Sequence, residues 1–148
     1  MESRGDEAGA IRLHHVGLAV DSIAAHAEHY RRSLGIELAG EIVEDEIQRV
    51  RVAFAQVGPE TFIELVEPIG ADSPIARVLE RGGGLYHMCY LVANVEAAMD
   101  RVCRSGGRRV SGPSPARAFG GRRIAWVYTA NRTLIEFLER DSAESGTP

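Results

Sequence analysis

Two short apolar runs, Leu13–Val20 and Leu85–Val92, open two similar stretches of this chain, and their length predicts buried strands. A helical pattern follows each run. Asp21-Ser22 offers an N-cap, Ile23, Ala27, Tyr30 and Leu34 share one helical face, and Gly35 ends the helix. In the second stretch Asn94 caps, Val95, Met99 and Val102 form the face, and Gly106-Gly107 stop it. Three strand-like segments follow each helix, near 36–43, 49–57 and 61–67, then near 108–112, 122–129 and 133–139. Alternation is clear in Val50-Arg51-Val52-Ala53-Phe54, with Arg51 directed outward or into a groove.

The similarity of the two stretches is an internal repeat. Shifted by 72 residues, the chain aligns with itself without a gap. Leu13-His14-His15-Val16 falls on Leu85-Tyr86-His87-Met88, and Arg51 and Ala53 fall on Arg123 and Ala125. Thr61-Phe62-Ile63-Glu64 falls on Thr133-Leu134-Ile135-Glu136, and Glu67 on Glu139. The pattern predicts an α+β chain of two tandem βαβββ modules, over 12–68 and 84–140, forming one domain. The linker, 69–83, reads as a short helix with Ser73 as its cap, Pro74 in the first turn, Ile75, Val78 and Leu79 inward, and Gly82-Gly83-Gly84 as its stop. Residues 1–10 and 141–148 read as disordered polar tails.

Composition narrows the function classes. With 148 residues and 45% apolar content, the chain can build an ordinary globular core. A net charge of −4 gives no general attraction to nucleic acid or anionic membrane. There is no long apolar run and the start is polar, so a cytoplasmic protein is expected. Cys89 and Cys103 are expected as reduced thiols. All 17 basic residues are arginine, which excludes Schiff-base and lysine-base chemistry.

The repeat also carries the candidate chemistry. His15 and Glu64 lie 49 residues apart, as do His87 and Glu136. Packing two related modules about a pseudo-twofold axis would bring these four positions together. Each glutamate sits between large apolar residues of a strand, where an unpaired charge is costly, and one cation would compensate both. Two imidazoles and two carboxylates suit Co²⁺, Mn²⁺, Ni²⁺, Fe²⁺ or Zn²⁺. Such an ion keeps open positions for substrate oxygens and acts as a Lewis acid.

These residues resemble the vicinal-oxygen-chelate superfamily, the glyoxalase, bleomycin-resistance and dioxygenase proteins. Within it, the chain is most similar to the methylmalonyl-CoA epimerase family. The matching motifs are HHVGLAV, VRVAFAQVG, FIELVEPIGADSPIARVLERGGGLYHM, GGRRIAWVY and LIEF, and they span about 12–140. The resemblance implies a cupped, eight-stranded split barrel and a homodimer. It implies metal ligands at His15, Glu64, His87 and Glu136, and epimerisation α to the carbonyl of an acyl thioester by two acid–base groups, one per face. Glu136 matches one of these groups. The other belongs to a Glu-Gln-Gly segment that here reads Ile47-Gln48-Arg49, so its glutamate position holds Ile47. Glu46 is the nearest replacement, with Glu44 and Asp45 close by: a one-residue slip in a strand turns Glu46 to the wrong face, whereas a loop lets it reach. The family's His-Pro-Lys turn before the last strand is replaced by Tyr128-Thr129-Ala130. A glyoxalase I-like lyase or isomerase, and a non-catalytic binding or resistance protein of the same fold, are the alternatives.

The remaining candidates surround this centre. Arg122 and Arg123, with Arg117 and Arg132, are placed to meet phosphates of a CoA- or carrier-protein-linked small molecule, or to serve as solvated strand-edge charge. Phe119, in Phe119-Gly120-Gly121, is expected to form a lid over the metal. Cys89, on the His87 face of its strand, and Trp126 are expected to line the pocket, with Tyr90 and Tyr128 as further wall or core aromatics. His14 and Tyr86 are expected to face away from the ligands that follow them. His26 and His29 are expected on the helix surface.

Overall fold

The computed structural model describes residues 11–141. Of the expected tails, all but Asp141 lie outside the described residues. In chain order the elements are β1 (Arg12–Ala19), α1 (Ile23–Leu34), β2 (Leu38–Asp45), β3 (Val50–Gln56), β4 (Phe62–Pro68), α2 (Ala76–Glu80), β5 (Gly84–Val92), α3 (Val95–Arg104), β6 (Arg108–Pro115), a 3₁₀ turn (Arg117–Phe119), β7 (Arg123–Tyr128) and β8 (Leu134–Glu139). The eight strands form one mixed, curled sheet in the order β2-β3-β4-β1-β5-β8-β7-β6. The architecture is α+β, eight strands with their helices, as the repeat predicts.

The order is palindromic because the repeat is. Each module contributes a four-stranded half, with β1 parallel to β4 and β5 parallel to β8. The halves meet where β1 pairs antiparallel with β5. Val16 lies opposite Met88 on the pseudo-twofold axis, flanked by His15 opposite Cys89 and Gly17 opposite His87. Each flanking pair is the other shifted by 72 residues and exchanged between strands.

Period-two alternation then divides the side chains between the faces. On one face Val20, Ile23, Ala53 and Leu65 bury α1, and Val95, Met99, Ala125, Val127 and Phe137 bury α3. On the other, Val50, Val52, Val66, Ile75 and neighbours surround a cavity. The expected caps form: Ser22 Oγ accepts from Ala25 N (3.2 Å) and Asn94 Oδ1 from Ala97 N (2.9 Å). Gly35 ends α1 in the left-handed conformation (φ 68°).

Carboxylates reinforce both helix starts. Glu67 at the end of β4 accepts from Ile23 N, and Glu139 at the end of β8 from Val95 N, both at 3.1 Å. Arg51 and Arg123 on the adjoining strands hold these carboxylates from the side. The repeated Arg51/Arg123 and Glu67/Glu139 positions thus fasten each helix to its half-sheet, satisfying an orphan N–H with negative charge at the helix start.

Two local expectations are corrected. The linker helix is shorter than expected and Ser73 does not cap it. Its backbone oxygen accepts from Ala76 N in a tight turn, its hydroxyl is buried without a partner among the described residues, and the helix proper begins after Ile75. His14 and Tyr86 do not simply face away from the residues that follow. Each is the extra residue of a register shift in the β1–β5 ladder. Such a bulge breaks strict alternation and re-aims the side chain. His14 Nδ1 lies 2.8 Å from His15 Nδ1, and Tyr86 lines the cavity 4.4 Å, ring to ring, from His87.

Candidate active site

Four inner strands bring four polar side chains to one point. His15 (β1), Glu64 (β4), His87 (β5) and Glu136 (β8) are all buried, and one ligating atom from each lies within 4.8 Å of all the others. His15 Nε2 is 3.1 Å from His87 Nε2, 3.3 Å from Glu64 Oε1 and 3.1 Å from Glu136 Oε1. His87 Nε2 is 3.4 Å from each carboxylate.

Those separations suit a metal ion. Metal–ligand bonds of about 2.0–2.2 Å put neighbouring donors roughly 3.0–3.5 Å apart around a tetrahedral or octahedral centre. Hydrogen bonding within the group leaves gaps: among the described residues Glu136 Oε1 and His87 Nδ1 are buried without a partner. Burial opposes charge on His15, yet Glu64, Cys89 and Glu136 around it hold the imidazole well above its usual pKa. Burial likewise opposes charge on Glu136, but the His15 and His87 imidazoles beside it pull its pKa down to about 2. Both directions express the attraction between an imidazolium and a carboxylate brought together out of water.

Around this centre lies a cavity of about 330 Å³, walled by apolar side chains including Val50, Val66, Ile75, Val110 and Ile124. Glu64 and Glu136 open into it, with Trp126, Phe119 and Tyr86 beside them. Phe119 stacks on His15 (5.8 Å, 21°), and Trp126 packs edge-on against His87 (4.7 Å). The Trp126 Nε1 donor is buried without a partner among the described residues.

Other expected positions lie elsewhere, each for a physical reason. Glu46 is exposed and does not line the cavity. The strand ends at Asp45, whose Oδ1 accepts from Gln48 N (2.9 Å), and Arg49 takes a left-handed conformation (φ 57°), leaving Glu46 and Ile47 at the turn tip. Arg123 faces α3 rather than the cavity, alternating with Ile124, and binds Glu96 (2.8 Å) and Glu139 (2.7 Å). Arg122 is not among the lining residues; its Nε donates to Phe119 O (3.3 Å), so it braces the 3₁₀ turn. Cys89 points to the same side as Glu136 but is sealed under Ala116, Ile124 and Leu138, where burial raises its thiol pKa. Tyr90 packs in the α3 core, Tyr128 meets Arg108, and Arg117 and Arg132 are exposed. His26 bonds Ser22 O (3.3 Å) and His29 bonds Ser33 Oγ (3.5 Å), within α1 and its cap.

Asp45 and Gln48, neighbours of the Ile47 position in sequence, line the cavity, as do Tyr86 and Ser111, of which no role there was expected. For Asp45 part of the signal existed: Val43 and Asp45 share the inward phase of β2. For Tyr86 it did not, because the bulge follows from strand pairing.

The comparisons with known proteins agree with this arrangement. A family model for the glyoxalase/bleomycin resistance protein/dioxygenase superfamily matches residues 14–126. The chain belongs to this superfamily. It is 37% identical over 129 residues to the ethylmalonyl-CoA/methylmalonyl-CoA epimerase of Cereibacter sphaeroides, covering 84% of this chain and 95% of that protein. It is 31% identical over 158 residues to a 2-epi-5-epi-valiolone epimerase of Actinomyces, covering 95% and 84%. The crystal structure of Mycobacterium tuberculosis methylmalonyl-CoA epimerase superposes with a TM-score of 0.76 at 28% identity, covering 99% of this chain and 97% of the other. The Streptomyces coelicolor epimerase, solved in complex with 2-nitronate-propionyl-CoA, also gives 0.76 at 26% identity over 88% of this chain. This homology within the superfamily supports an epimerase-like function. Among the described residues no helix is long and apolar enough to cross a membrane.

Proposed function

We propose that this protein is a metal-dependent epimerase or isomerase that removes the proton α to the carbonyl of an acyl thioester. Its substrate would be a methylmalonyl-CoA-like molecule, linked to CoA or to a carrier protein. The observation that carries the reading is the convergence of two imidazoles and two carboxylates beside a largely apolar cavity. His15, Glu64, His87 and Glu136 would hold a divalent ion, Co²⁺, Mn²⁺, Ni²⁺, Fe²⁺ or Zn²⁺. When bound, that ion supplies Lewis-acid polarisation of the substrate carbonyl. Like Glu64, Glu136 belongs to the cluster and lines the cavity, and of the two it is Glu136 that matches the family's acid–base position, so Glu136 would be the base on one face. Trp126 Nε1 offers a donor to a substrate oxygen, and the apolar walls exclude water that would quench the developing charge. The volume, about 330 Å³, fits the reacting acyl end of a thioester rather than a whole CoA.

The test is isotopic. Metal-loaded protein with methylmalonyl-CoA in heavy water is expected to place deuterium at the α-carbon and interconvert the epimers. A metal-loaded sample that does neither rejects the reading. A second reading rests on Glu46, which lies outside the cavity. Glu136 alone would suffice for proton transfer on one face, as a glyoxalase-like lyase or isomerase requires, and turnover of a hemithioacetal would reveal it.

A further inference from the structure

Inverting a carbon centre by proton transfer needs a group on each side of the plane, since the face that loses the proton is not the face that regains it. Four side chains lining the cavity ionise: Asp45, Glu64, Tyr86 and Glu136. Glu64 and Glu136 belong to the candidate metal cluster, and Tyr86 adjoins His87 on β5. A phenol, with an ordinary pKa of about 10, also matches a carboxylate poorly in an exchange that must run both ways. Asp45 remains.

Its setting supports more than a structural role. Asp45 is 4% exposed, at the inner end of β2, the outermost strand of its half-sheet. Glu136 lies on β8 in the other half, so the two carboxylates line one cavity from different modules. The 3₁₀ turn at Arg117–Phe119 folds against β2, and Ala118 and Phe119 line the same cavity as Asp45. One oxygen, Oδ1, is fixed by Gln48 N–H at 2.9 Å; among the described residues Oδ2 has no hydrogen-bond partner. The nearby cations are engaged elsewhere, Arg49 with Asp72 (2.7 Å) and Arg51 with Glu44 (2.9 Å) and Glu67 (3.1 Å). A buried carboxylate with no ion-pair partner among the described residues is costly unless it is used.

We infer that Asp45, rather than Glu46 or the residue at the Ile47 position, is the second acid–base group of this site. The inference rests on the epimerase reading above. In one direction the α-carbon–hydrogen bond breaks, the proton goes to Glu136 and the bonding electrons pass into the enolate. Protonated Asp45 then delivers its proton to the α-carbon from the other side. Glu136 ends protonated and Asp45 ionised, and exchange with water or the reverse reaction resets both.

The experiment follows (2R)- and (2S)-methylmalonyl-CoA separately in heavy water with metal-loaded wild-type, D45N and E46Q proteins. Asn keeps the Oδ1 acceptor for Gln48, so D45N is expected to melt and take up metal as the wild type does. Its epimerisation should fall at least about 100-fold, within the range that acid–base groups contribute. It should still exchange the α-proton of one epimer, with retention of configuration. E46Q should stay within about twofold of wild type. Epimerisation by D45N at the wild-type rate overturns the role of Asp45, as does loss of exchange from both epimers together with loss of metal. A wild type that neither exchanges nor epimerises rejects the epimerase reading itself, which is a different result from the D45N outcomes.

Discussion

Gly17 shows how one residue sets the geometry of the candidate centre. A Cβ built there would stand 1.9 Å from His87 Cε1, so the imidazole occupies the space a side chain would need. Its repeat partner, Cys89, has a side chain and faces His15 across the ladder. The two halves therefore present their histidines against different floors, although the sequence pattern is shared. G17A is expected to push His87 off the cluster and weaken metal binding at least about tenfold by calorimetric titration, with an overpacking cost of about 1–3 kcal/mol in urea unfolding. Unchanged metal affinity in G17A would show that His87 is not needed where it stands. At this scale His15, Glu64, His87 and Glu136 were legible as a set, because the repeat doubled a pattern that is uninformative singly. Asp45 was legible only as a close neighbour of Ile47, because the expected strand stopped near 43 whereas β2 runs on to Asp45 and carries it inward.

Elements explain why several expected binding residues serve structure instead. Arg123 looked available for phosphate, yet strand alternation turns it toward α3, where Glu96 and Glu139 take it. The same triad logic, Arg51 with Glu67 beneath α1, repeats in the first module. E139Q keeps an acceptor oxygen for Val95 N–H but loses the charge that faces Arg123 and the helix start, so it is expected to lower stability by about 0.3–1 kcal/mol, without altering metal uptake. The pH dependence has a definite sign. The Arg123 guanidinium, with help from Val95 N–H, holds the Glu139 carboxyl below its ordinary value of 4.5. A depressed carboxylate contributes stability that is present above its unfolded pKa and lost as pH falls through the folded one. Urea unfolding of wild type and E139Q should therefore converge below about pH 4 and separate above it. Parallel curves from pH 3 to 7 would contradict the assignment. Bulges work at this scale as well: those at His14 and Tyr86 arise from pairing between modules, which neither module's sequence announces.

At the scale of the whole molecule, the cluster is a staple. Its four side chains come from β1, β4, β5 and β8, two strands from each half-sheet, so a bound ion would tie the modules together across the pseudo-twofold axis. A ligand that binds only the folded state at 100 times its dissociation constant adds about 2.7 kcal/mol. For a chain of this size that corresponds to a rise of very roughly 5–10 °C in melting temperature. Chelation should remove the increment, and re-addition of Co²⁺ or Mn²⁺ should restore it. An H15A/H87A variant should be blind to both treatments, and one that still responds would place the ion elsewhere. Local pattern by itself determined the strands, helices and duplication, because hydrophobic period and capping residues act within a few positions. Only tertiary structure decided which side chains meet, since the β1–β5 register, the two bulges and the curl of the sheet are long-range. The bulge at Tyr86 admitted it to the cavity and the curl of the sheet sealed Cys89 beneath its wall, whereas strand alternation turned Arg123 out and the turn after Asp45 left Glu46 at its tip.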